Sequence, residues 1–303
     1  MKLQFDIPGK HQPDPFIFED AGRFYLYVTA GSGVEAYSSA DPFGIWHFEG
    51  TVCTVEGWHN YWAPCIIRYQ EKYYLYFSCE QGDRFQYLHA AVADSPLGPF
   101  TGAKPLFDRF TIDAHVVQTD AGLFLFYAED NWQPERFGTR VFVDRLTDPF
   151  TPAGLQKEII VPTFDEEIFA RNRWGDGKDW HTIEGPFWFR EGKWQYVMYS
   201  GGCYMNDSYH IGFSAAESGE QDLTRVDFQK HTAGGSFAPV LIRNDREEGT
   251  GHHSVLFYKG EYYAVYHGRD AVPQAGDGYR EGRTARICKL LVRDGNITAQ
   301  RME

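Results

Sequence analysis

Residues 182–202, TIEGPFWFREGKWQYVMYSGG, set a lone carboxylate, Glu184, at the entrance of an apolar strand, and a turn at Glu191-Gly192 returns the chain into a second aromatic strand. This reads as a β-hairpin with an acid at its mouth. The pattern recurs four times with other residues at the mouth. Asp14 precedes PFIF, a turn at Ala21-Gly22 and FYLYVT, while Trp62-Ala63 precedes PCIIRY, a turn at Glu71-Lys72 and YYLYFS. Asp113 precedes AHVVQ, Ala121-Gly122 and LFLFYAE, and His252 precedes HSVLF, Lys259-Gly260 and EYYAVYHG. From the polar residue to the turn glycine the spacing is 8 residues for Asp14, 9 for Asp113, 8 for Glu184 and 8 for His252. So regular a spacing predicts one structural position repeated around the fold.

The first three hairpins are followed by SSADPFGIW, ADSPLGPF and RLTDPFTPAG, each placing Asp/Ser, Pro and Phe alike. Each unit is therefore more than a hairpin: a four-stranded antiparallel sheet of roughly 50–70 residues, the size of one propeller blade. Five such units fill the 303 residues. The expectation is an all-β, five-bladed β-propeller with four-stranded blades around a central axis, forming a single domain over residues 1–303. A β-sandwich has similar composition, but fixed repeat spacing favours the propeller. Residues 131–139, with Trp132, and residues 163–181 interrupt the rhythm. The second segment predicts a short helix over 165–173 and a loop at GDGKD, and its place beside Glu184 suggests a pocket rim.

Twenty-nine basic against 42 acidic residues give a net charge of -13, which repels phosphate backbones and argues against nucleic acid or an anionic polymer as partner. A neutral ligand fits better. Aromatic residues make up 17% of the chain, a composition that suits strands and sugar-stacking surfaces. The cysteines, Cys53, Cys65, Cys79, Cys203 and Cys288, are odd in number and show no C-x-x-C pair, so neither a disulfide framework nor a zinc site is expected. MKLQFDIPGK holds no apolar run of signal-peptide type and no stretch reaches membrane-spanning length, so a cytoplasmic location without membrane association is expected.

In a propeller the innermost strands run along the axis, so Asp14, Trp62, Asp113, Glu184 and His252 converge at one mouth. Each alone has a blander reading. Asp14-Pro15 is an ordinary turn starter, Asp113 a turn cap, Glu184 a solvated loop charge and His252 a structural histidine. Together, in register, they supply what glycoside hydrolysis needs: an acid to protonate the leaving oxygen and a carboxylate to activate water or attack the sugar. A Glu beside Phe187 and Trp188 and facing two carboxylates would have its pKa raised, while a more solvated Asp14 stays ionised.

The series PDPF at Asp14, YWAP at Trp62, TID at Asp113, IEGP at Glu184 and GTGHHS at His252 resembles glycoside hydrolase family 43, five-bladed propeller enzymes that act on arabinose- and xylose-containing glycans. The resemblance spans the whole chain. It implies Asp14 as general base, Glu184 as general acid, and Asp113 as the carboxylate that orients the acid and raises its pKa. It makes Trp62 a pocket wall, and EGRTARI offers Arg283 as the arginine that reaches the sugar. His252 would bind near the substrate on the axis, where some members hold calcium or another ion; no cofactor is otherwise required. Ala114-His115 stand where Asp-Pro is common after the second acid, and His253 where Asn often follows the axial His. The expected activity is inverting exo-hydrolysis of terminal α-L-arabinofuranosyl residues from a neutral oligosaccharide, with Trp62, Trp132 and the Trp-bearing loop before Glu184 enclosing a blind pocket. A β-D-xylosidase, a retaining invertase-like enzyme and a non-catalytic sugar-binding propeller are the alternatives.

Overall fold

The computed structural model describes residues 1–132, 135–272 and 281–302. Among the described residues the strands form five sheets. Their innermost strands are Phe16–Asp20, His59–Tyr69, Thr111–Thr119, Ile183–Glu191 and Glu247–Tyr258, and each touches the next around a closed ring. Alternation of inward and outward side chains leaves both faces of each sheet apolar, so neighbouring sheets bury them against one another. Five separate apolar clusters result, one at each junction. Tyr27 and Phe77 lie in the first, Tyr76 and Leu125 in the second, Phe126 and Val197 in the third, Tyr196 and Tyr266 in the fourth, and Leu26 and Ile287 in the fifth. The fold is an all-β propeller with almost no helix. Among the described residues, no helix is long and apolar enough to cross a membrane.

Uniform four-stranded units were expected, and three sheets have four strands. The sheet built on Thr111–Thr119 has seven, because Thr151–Pro152, Lys157–Ile160, Ile168–Ala170 and Trp180–His181 extend it. The helix expected over 165–173 reduces to a single 3-10 turn, Asp165–Glu167. Its glutamate explains the difference. Glu167 is fully buried, accepts the N–H groups of Thr163 and Phe164 at 2.6 and 3.0 Å, and pairs with Lys230 at 2.6 Å. Turning that carboxylate inward ends the helix, and Ile168–Ala170 pairs with Trp180–His181 instead.

The sheet of Phe16–Asp20 gains a fifth strand, Gln4–Phe5, which pairs in parallel with Ile45 and Trp46. Just before it, Leu3 N–H bonds to Ala285 and Ile287 N–H to Met1 in the last sheet. Residues 1–5 thus fasten the last sheet to the first.

All five innermost strands kink at the mouth. Asp14, Ala63, Asp113, Gly185 and His252 have φ of 54°, 45°, 62°, 56° and 44°, the left-handed region that non-glycine residues occupy mainly at strained or functional positions. Ladder register shifts beside four of them, as at β-bulges. Pro15, Pro64 and Pro186 follow three of the kinks, where a missing N–H breaks no ladder bond. The equal-position reading therefore needs correction: Asp14, Asp113 and His252 occupy the kink, whereas Trp62 and Glu184 stand one residue before it.

Candidate active site

The kinks open onto a cavity of about 200 Å3 lined by Asp14, Trp62, Asp113, Glu184, His252 and Arg283, all six expected from the sequence. Its other walls include Thr29, Tyr204, Tyr209 and Glu281. Trp132 and Trp174 are not among them, so the expected aromatic enclosure is supplied by Trp62 and two tyrosines.

Cross-sheet bonds hold the kinks in place. Thr29 donates its hydroxyl to Asp14 Oδ2 at 2.6 Å and accepts the Ala63 N–H at 2.8 Å. Asp113 Oδ2 accepts the Gly185 N–H at 2.9 Å, and Ser200 Oγ accepts the His252 N–H at 2.7 Å. Buried polar groups are thereby satisfied through neighbouring sheets. Asp113 fixes the backbone beside Glu184 rather than the Glu184 side chain.

The carboxylates have opposite proton affinities. Burial alone would raise the pKa of Asp14, but His252, Arg283 and His267, with atoms 3.4, 3.3 and 3.1 Å from Oδ1, hold it far below the usual range. It is ionised. Glu184 is raised to about 7, chiefly by burial and further by Asp14, against the lowering effect of the 2.6 Å hydrogen bond that Tyr209 donates to Oε1. Asp113 is also raised, chiefly by burial and further by the nearby carboxyls of Glu184 and Asp14. His267 is neutral because burial pushes it down to about 3. Its Nδ1 lies 3.1 Å from both the Asp14 N–H and Asp14 Oδ1.

Tyr209, Tyr204, Thr29 and His267 were not singled out in the sequence. The first three lie in loops and His267 in the second strand of its sheet, Glu261–Asp270, where the hairpin register carries no signal. One clue was readable in GTGHHS: a Cβ on Gly251 would come within 2.2 Å of the Tyr209 ring, so that glycine makes room for the tyrosine. Arg283 lies with its guanidinium 4.4 Å from the Tyr204 ring centre, which fixes it beside Asp14.

Donor atoms of Asp113, Glu184 and His252 lie within 4.8 Å of one another, close enough to surround one small divalent ion. Calcium takes six to eight oxygen ligands, and here the protein offers three donors, two of them carboxylates engaged by Gly185 and Tyr209. An ion held by these three side chains would complete its shell with water or backbone oxygens, and no catalytic step below passes through a metal.

Sequence comparison matches the profile of glycosyl hydrolases family 43 to residues 7–297. A xylosidase/arabinosidase of Bacteroides ovatus is 25% identical, the match covering 96% of this chain and 95% of the relative. An extracellular exo-alpha-(1->5)-L-arabinofuranosidase of Cellvibrio japonicus is 26% identical over 85% of this chain and 79% of its own. Among solved structures, a thermostable family-43 glycoside hydrolase superimposes with a TM-score of 0.81 at 27% identity, covering 99% of this chain and 96% of the other. With a propeller whose inner strands bring two carboxyls of opposite proton affinity into one cavity, and with a family match spanning nearly the whole sequence, the chain belongs to glycosyl hydrolases family 43 and is a glycosidase.

Proposed function

We propose that this five-sheet ring is a five-bladed propeller, one blade per sheet, acting as an inverting exo-glycosidase that removes terminal α-L-arabinofuranosyl residues from neutral oligosaccharides. The observation that carries this reading is the convergence of two carboxyls in one cavity, Asp14 with Arg283 3.3 Å away and its pKa held down, Glu184 bonded by Tyr209 and raised by burial to about 7. Glu184 donates its proton to the glycosidic oxygen as the C–O bond breaks and the electron pair leaves with that oxygen. Water bonds to the anomeric carbon from the opposite face and gives its proton to Asp14. Asp113 holds the Gly185 backbone, so the acid keeps its direction as the charge moves. Arg283 keeps Asp14 ionised and faces the sugar.

The cavity of about 200 Å3 is below the range of about 300–1,000 Å3 typical of drug-sized ligands and suits one small sugar ring, which supports removal of single terminal residues. The preference for arabinofuranose rests on relatives named exo-alpha-(1->5)-L-arabinofuranosidase. A β-D-xylosyl residue is the second reading, favoured by relatives named xylosidase/arabinosidase and beta-xylosidase.

Following the anomeric protons by NMR during rapid hydrolysis of an aryl α-L-arabinofuranoside tests the mechanism. The first-formed sugar is expected with inverted configuration. A retained anomer, or transfer to methanol, would mean that Asp14 attacks the sugar directly. Turnover of hexosides without pentosides would overturn the substrate assignment.

A further inference from the structure

Trp132 and Trp174, absent from the cavity wall, meet each other. Their ring centres are 5.8 Å apart, and beneath them lies Trp180, buried and 4.5 Å from Trp132. The Arg173 guanidinium packs 4.9 Å from the Trp174 ring and 5.1 Å from that of Trp180. The two upper indoles are 48% and 56% exposed although both are held from below. Large exposed aromatics in a rigid setting mark a contact surface.

This surface shares the face of the cavity. Thr111 and Ile112, which lead to Asp113, pair with Glu129 and Ala128, and Trp132 lies three residues past Glu129. Trp180 lies four residues before Glu184, so the backbone between them spans at most about 14 Å.

We propose that Trp132 and Trp174 form a sugar-stacking platform for the part of the glycan that extends outside the cavity. The inference rests on the glycosidase reading above and deepens it: the substrate is longer than the cavity can hold. Indole faces suit the C–H faces of sugar rings, and the exposed polar rim of Arg171, Asp176 and Lys178 suits their hydroxyls. A protein partner would need about 800 Å2 from each side, far more than two side chains offer. Because the indoles are already packed, little ordering accompanies binding.

The test uses Trp132→Ala, Trp174→Ala, their combination and the matching Phe variants. In a Glu184→Gln background, electrophoresis through gels containing soluble arabinan or arabinoxylan is expected to show retardation that the double Ala variant loses and the Phe variants keep. In the active background the double Ala variant should raise KM for long arabino-oligosaccharides about tenfold at unchanged kcat. Its kcat/KM on an aryl arabinofuranoside, which fills only the cavity, should stay at the parent value. Absence of retardation in the parent background, or equal retardation of the Ala variants, overturns the platform. So does an equal loss on the aryl glycoside, which would return the two residues to the cavity. Retardation by a protein that cleaves no pentoside would instead leave the platform standing and remove the proposed activity.

Discussion

Tyr209 donates a 2.6 Å hydrogen bond to Glu184 Oε1 from a ring that stacks on His267, their centres 5.5 Å apart. His267 in turn contacts Asp14. One aromatic pair thus links the two carboxyls, and its hydroxyl acts on the proton affinity of one of them.

Removing that hydroxyl should move the pH profile. The bond from Tyr209 favours the Glu184 carboxylate, so Tyr209→Phe raises the acid's pKa further above its present value of about 7. A general acid must be protonated, so the alkaline limb of kcat/KM should shift upward by about one pH unit, the worth of a charge-assisted hydrogen bond. An unmoved limb would show that Tyr209 only packs.

Glu184→Gln should slow cleavage of natural oligosaccharides by about 10²–10⁴-fold while sparing aryl glycosides with highly activated leaving groups, which depart without protonation. Equal loss on both substrates would remove Glu184 from the acid role.

The same substitution should stabilise the protein above neutrality. A folded pKa of about 7 against the ordinary value of 4.5 means that the native state binds the proton more tightly than the unfolded chain. That contribution is complete below pH 4.5 and is lost as the pH rises through 7. Gln cannot ionise, so denaturant titration should show Glu184→Gln gaining up to about 3 kcal/mol over the parent at pH 8, with the difference vanishing near pH 4. A gap independent of pH would contradict the raised pKa.

Gly251→Ala places a methyl 2.2 Å from the Tyr209 ring and pushes it off Glu184. Expected are a stability cost of about 1–3 kcal/mol and an activity loss at least as large as that of Tyr209→Phe. Combining the two substitutions should add little to the activity loss, because both sever the same hydrogen bond. Fully additive losses would place Gly251 in a different role.

Lys230→Ala leaves the fully buried Glu167 carboxylate without its cation, although Thr163 and Phe164 still donate to it. A loss of about 3–5 kcal/mol is expected by thermal or denaturant unfolding. Limited proteolysis should then cut first within residues 163–181, the segment that Glu167 ties down.

Asp14, Trp62, Asp113, Glu184 and His252 could be grouped from sequence because each precedes an apolar strand that ends at a recognisable turn, whereas Arg283 came only from the family resemblance. That Glu184 stands one residue before its kink could not be read, since a left-handed φ at Gly185 is a backbone fact that letter spacing does not carry. Thr29, just past the strand Arg23–Val28, and Tyr209, just before His210–Glu217, reach the cavity from the ends of strands that do not line the axis, so no repeat points to them. The helix expected over 165–173 failed because a charge pattern suited to helix also suits a buried ion pair, and Lys230 lies 63 residues from Glu167 in the chain. Two-residue strands such as Gln4–Phe5 and Trp180–His181 are too short to show any period.

The fastening of residues 1–5 to the last sheet bears on the order in which the molecule assembles. Leu3 finds Ala285, and Met1 finds Ile287, only after nearly the whole chain is available, whereas each hairpin joins residues a few positions apart. Contacts of such long sequence separation form late and slow folding. During synthesis the early sheets can pack against one another as an open arc, in which the face of the first sheet that carries Leu26 still lacks the cover that Ile287 brings. Closing the circle is therefore also the step that takes this apolar face out of water.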